Sequence, residues 1–69
     1  MSIKVGDLVR VRDDARKLNL GNKPFEGQLG VVVEVSGGVT RYPLATRMIA
    51  SGDIIGFRDE ELDDATESR

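Results

Sequence analysis

Seven basic side chains are the groups most able to do chemistry in this sequence: Arg10, Arg12, Arg16, Lys17, Lys23, Arg41 and Arg47. Arg10 and Arg12 alternate with Val9 and Val11, and Arg41 and Arg47 share one side of a later alternating stretch. Strand periodicity would therefore turn all four to a wet surface. Joined by Arg16, Lys17 and Lys23 from the intervening loop, they form a candidate partner-binding face whose chemistry is electrostatic. Three surroundings suit such a face. An acidic protein fits because arginine is favoured at interfaces. The phosphates of RNA or DNA fit through charge. Water alone also fits, the arginines then serving only solubility.

Catalysis has little to work with. The chain contains no histidine and no cysteine. Ser36 and Ser51 thus lack an imidazole base, and neither disulfides nor thiolate metal sites can form. The carboxylates Asp59, Glu60, Glu61, Asp63 and Asp64 lack the alternating ligands and turn glycine of an EF-hand loop. We read them as a solvated acidic edge. Gly27-Gln28-Leu29-Gly30 matches the G-x-x-G that clamps nucleic acid backbone in KH domains. Here it leads into a valine-rich strand, where a bend of the sheet explains it better. We expect no enzyme, no catalytic residue, no cofactor and no metal.

The elements that must position these groups are short. With 69 residues there is room for one domain, expected over residues 1–65, followed by a disordered polar tail over 66–69. Hydrophobic residues at 39 % and charged residues at 32 % make a globular composition rather than a disordered one. No apolar run reaches the roughly 18 residues of a membrane span, and the start lacks a signal-peptide core. We expect a soluble, cytoplasmic chain without a membrane partner. The net charge of −2 hides an asymmetry: residues 1–48 carry net +3 and residues 49–69 net −5. That pattern fits a basic face with an acidic tail, or simply a solvated surface with a polar end.

Eight valines and four isoleucines against six leucines favour strands over helices. The first strand is expected over Val5–Arg12, with Val9 and Val11 inward. Residues 13–24 break the alternation and form the longest loop, with one helical turn from Asp13 to Lys17 or Leu18. The second strand runs Gln28–Val35, with Leu29, Val31, Val33 and Val35 on one face. Ser36-Gly37-Gly38 makes a type I′ turn into a third strand, Val39–Met48, on which Tyr42, Leu44, Thr46 and Met48 share a face. Pro43 belongs at an edge or bulge. Ser51-Gly52-Asp53 turns into a fourth strand, Ile54–Phe57. A 3₁₀ turn over Arg58–Glu60 precedes a last short strand at Leu62. The predicted core also includes Val5, Phe25, Ile55, Phe57 and Leu62. Five short strands with tight turns make an all-β domain, expected as a small, strongly bent barrel.

GDLVRV (Gly6–Val11) with FEGQLGVVVEV (Phe25–Val35) resembles the SH3-like barrels that contain KOW motifs. There a G-D-x-V-x-V strand precedes a G-x-x-G-x-V-x-x-V strand. RYPLATRM (Arg41–Met48) with GFRDEEL (Gly56–Leu62) resembles another SH3-like group, the photosystem I accessory subunit that helps ferredoxin dock. Stand-alone SH3-like proteins of phage and bacteria look similar in the same places. The resemblance implies a five-stranded SH3-like barrel with one long loop after the first strand. It also implies a non-catalytic interaction module or small accessory subunit, monomeric or weakly homo-oligomeric, that binds a protein. The KOW side of the resemblance implies the alternative, RNA or DNA binding through the basic face.

Overall fold

The computed structural model describes residues 3–13, 21–36 and 41–66. Among these residues five strands form, β1 (Leu8–Val11), β2 (Leu29–Val35), β3 (Leu44–Met48), β4 (Ile54–Phe57) and β5 (Leu62–Asp64), with 3₁₀ turns at Lys23–Phe25 and Asp59–Glu61. The chain is all-β, as its β-branched composition predicts. Every pairing is antiparallel, and the strands lie in the order β4-β3-β2-β1-β5.

β4 and β5 stand at opposite ends of that order, yet only residues 58–61 separate them. In a flat sheet, four strand spacings of about 4.8 Å would hold the two edges roughly 19 Å apart, while a 3₁₀ turn advances only about 2 Å per residue. The sheet must therefore curl to bring its ends within reach. Its nearly equal principal extents, 29 × 26 × 24 Å, agree. The curl stops short of the expected closed barrel: among the described residues no ladder joins β4 to β5.

Curling creates one interior. Val9, Val11, Val32, Leu44, Met48, Phe57 and Leu62 are buried there, and Ile3, Phe25 and Ile55 pack against them. Phe25 meets Phe57 edge-to-face at 6.4 Å, a geometry contributing about 0.5–1.5 kcal/mol beyond burial itself. Thr46 is also fully buried, and its hydroxyl donates to the Leu44 carbonyl.

β2 corrects the sequence expectation. Its interior face is Gly30 and Val32, paired with Met48 and Thr46, while Leu29 and Val31 are half-buried on the other side. Val33 and Val35 are 37 % and 42 % exposed. The reason is space. A Cβ on Gly30 would lie 2.6 Å from Thr46 Cγ2 and 2.9 Å from the Arg47 carbonyl oxygen, so the interior takes the residue without a side chain. The register then shifts between Val32 and Glu34, which leaves Val33 as the residue of a bulge. Val5 and Tyr42, also expected inside, lie outside the strands and are exposed.

The turn expected at Ser51-Gly52-Asp53 is present. Gly52 has φ +78° and donates to the Met48 carbonyl, while Met48 N–H returns to Asp53. Pro43 precedes β3, where its missing N–H removes no ladder bond. The second 3₁₀ turn sits one residue later than expected. The first was not expected; it carries Pro24, whose fixed φ suits helical geometry. The glycines of the expected 36–38 turn, residues 39–40 of the expected third strand and the helical turn beyond Asp13 lie outside the described residues, whereas 41–43 are described and precede the strand, which begins at Leu44. Thr66 is tied to β1: its hydroxyl accepts from Leu8 N–H at 2.8 Å and donates to the Leu8 carbonyl. The rest of the expected tail, 67–69, lies outside the described residues.

Candidate partner-binding face

Antiparallel partners point to the same side of a sheet, so the pairings define the outer surface residue by residue. Leu8 lies opposite Val31, Val31 opposite Arg47, and Arg47 opposite Ile54. One row of side chains thus crosses β1, β2, β3 and β4. Two residues along, Asp63 lies opposite Arg10 and Arg10 opposite Leu29. Arg10 and Arg47 consequently flank β2 on its two sides, with the half-buried Leu29 and Val31 between them. Ile49 follows β3 beside Leu29, to whose carbonyl it donates. Ile49 and Ile54 are 59 % and 57 % exposed.

The other predicted basic residues do not join this arrangement as equals. Arg12 is held by Asp63, its Nη1 donating at 2.8 Å. Lys23 and Arg41 are exposed but sit on connecting segments rather than on strands. Arg16 and Lys17 lie outside the described residues. Arg58, read from the sequence only as part of a turn, pairs with Glu60 and Glu61 and lies 5.9 Å over the Tyr42 ring. Among the described residues, Arg10 and Arg47 are the strand arginines that enter no ion pair.

The apolar companions of those arginines escaped the sequence reading. Leu29 and Val31 carry the same signal as core residues, and only the register set by Gly30 turns them outward. The acidic edge also needs correcting. Glu61 is fully buried rather than solvated: its Oε1 accepts from the Arg58 backbone N–H at 2.8 Å and from Asn22 Nδ2 at 3.1 Å.

Asp59, Glu60, Asp63 and Asp64 do line a groove of about 390 Å³ with Ile3 and Leu62. Within it Asp63 is paired to Arg12, Glu60 to Arg58, and Asp64 accepts from Thr66 N–H. Among the described residues no three acidic side chains gather in an arrangement that could hold a metal ion. No helix among them is long and apolar enough to cross a membrane.

A scan against protein-family models finds no match for the chain, and searches of the curated proteins and of the solved structures find none either.

Proposed function

We propose that this chain is a small SH3-like barrel acting as a non-catalytic interaction module or accessory subunit, and that it binds a protein partner through the outer face of β1, β2 and β3. The SH3-like part of the reading is supported by the curled five-strand order and the 3₁₀ turn that links the two end strands. The non-catalytic part is supported by the absence of histidine and cysteine from the sequence.

One observation carries the choice of face: Arg10 and Arg47, exposed and in no ion pair among the described residues although Asp63 lies opposite Arg10, sit among apolar side chains that a stable monomer would otherwise leave wet. Interfaces combine these same two residue types, apolar contact at the centre and arginine around it. Nucleic acid fits less well. Phe57 is buried with Phe25 packed on it, and Tyr42 lies beneath Arg58, so the face has no aromatic platform for bases.

The test is Arg10→Glu combined with Arg47→Glu. Exposed substitutions usually change stability within about 0.5 kcal/mol, but a glutamate opposite Asp63 adds like-charge repulsion. The variant should therefore fold with a somewhat lowered melting temperature while losing its native partner in affinity capture. Arg10→Gln combined with Arg47→Gln, which avoids the repulsion, should melt close to the wild type. Retention of that partner at wild-type strength would overturn the reading. Binding of mixed-sequence oligonucleotides that weakens steeply with salt would favour the nucleic-acid alternative.

A further inference from the structure

The same face says what kind of segment covers it, an inference that rests on the interaction-module reading above. A sheet offers backbone donors and acceptors along its edge strands; its faces present side chains. An occupant of the face finds no backbone partners there: a helix arrives with its backbone bonds already made, whereas a lone extended segment loses water from the groups it turns toward the apolar centre. The edges are poor alternatives. The Gly56 carbonyl of β4 already accepts from Asn22 Nδ2 at 3.2 Å, and β5 is three residues long with Asp63 and Asp64 among them.

Charge and spacing narrow the occupant further. Arg10 and Arg47 straddle β2 two residues out of step, which places their Cα atoms about 12 Å apart from strand spacing and rise. Residues seven apart on an α-helix share a face at about 10.5 Å, with positions three and four lying between them. The long arginine side chains absorb the difference. Leu29 and Val31 lie under that middle. We propose that the outer face receives an amphipathic helix of a partner protein, with acidic residues seven positions apart meeting Arg10 and Arg47 and apolar residues between them packing on Leu29 and Val31.

The experiment is selection of a displayed library of 20-residue peptides on the intact chain, with counter-selection on R10E/R47E and, as a milder control of folding, R10Q/R47Q. Enriched sequences should carry Asp or Glu seven apart with apolar residues three and four positions in. A synthetic copy should bind the wild type at least tenfold more tightly than either double variant and gain helical circular dichroism on binding. It should also shift the amide resonances of Arg10, Leu29, Val31 and Arg47. Enrichment of basic, proline-rich or extended peptides, no enrichment at all, equal retention by both double variants, or displacement to another surface would each overturn the proposal. The two readings separate cleanly. If the double variants lose the native partner while the selected peptides are extended, the module stands and the helix falls; if they keep that partner, both fall.

Discussion

Asn22 and Glu61, 39 residues apart, are joined side chain to side chain inside the protein: Asn22 Nδ2 donates to Glu61 Oε1 at 3.1 Å. The same nitrogen reaches the Gly56 carbonyl at 3.2 Å. One buried amide thus ties the end of the long loop to β4 and to the 3₁₀ turn that follows it. A buried carboxylate is tolerable only when hydrogen-bonded or paired, and here its partners include the Arg58 backbone N–H, the Asn22 amide and the Arg58 guanidinium, whose Nε lies 3.8 Å away.

Asn22→Asp should therefore destabilise more than Asn22→Ala. Alanine removes a donor, with an expected loss of about 1–3 kcal/mol; aspartate adds a second carboxylate against the first. Urea denaturation of the two variants checks the order, and a wild-type midpoint for Asn22→Asp would show that the contact carries no stability.

Gly30→Ala should cost about 1–3 kcal/mol, the usual range for overpacking. Its methyl would overlap Thr46 Cγ2, at 2.6 Å, and the Arg47 carbonyl, at 2.9 Å. Adding Thr46→Ser removes the first obstacle and should recover part of the loss. A double-mutant cycle reads the coupling directly.

Val32→Asp should unfold the domain, because Val32 is 1 % exposed among apolar neighbours. Val33→Asp, on the adjacent bulge residue, should change stability by less than about 1 kcal/mol. Thermal melts followed by circular dichroism distinguish the pair; equal effects would reverse the strand face described above.

Thr66→Val should leave Leu8 N–H without its acceptor. The contact is exposed, so the expected loss is only about 0.5–1 kcal/mol. Faster hydrogen exchange at the Leu8 amide is the more sensitive measurement.

The strands are readable in the sequence because alternation and glycine turns are local signals. β4 matches its expected bounds, and β3 turns Leu44, Thr46 and Met48 inward as its period requires. β2 is not readable in the same way. Three successive valines satisfy either face equally, and the deciding fact is how little room Thr46 leaves at Gly30, a contact between residues sixteen apart. Of the candidate face, Arg10 and Arg47 follow from alternation on their own strands. That Asp63 engages Arg12 while leaving Arg10 without an ion pair depends on β1–β5 pairing, which no local pattern announces. Glu61 reads as one more acid in a polar run because its partner Asn22 lies far upstream.

The place of β1 between β2 and β5 governs how the molecule comes to exist. β2 follows β1 after one connection, but the β1–β5 ladder joins residues 51 to 55 apart, from Val11–Leu62 to Val9–Asp64. Loop closure of that length must precede the contacts that reward it. Folding in the millisecond-to-second range is expected for so non-local a topology, rather than the microseconds open to small helical bundles. On the ribosome, Val9 and Val11 cannot be fully enclosed until Leu62 has emerged, so the nascent β1–β4 segment carries an open strand edge. Chaperone capture or misassociation would act during that interval.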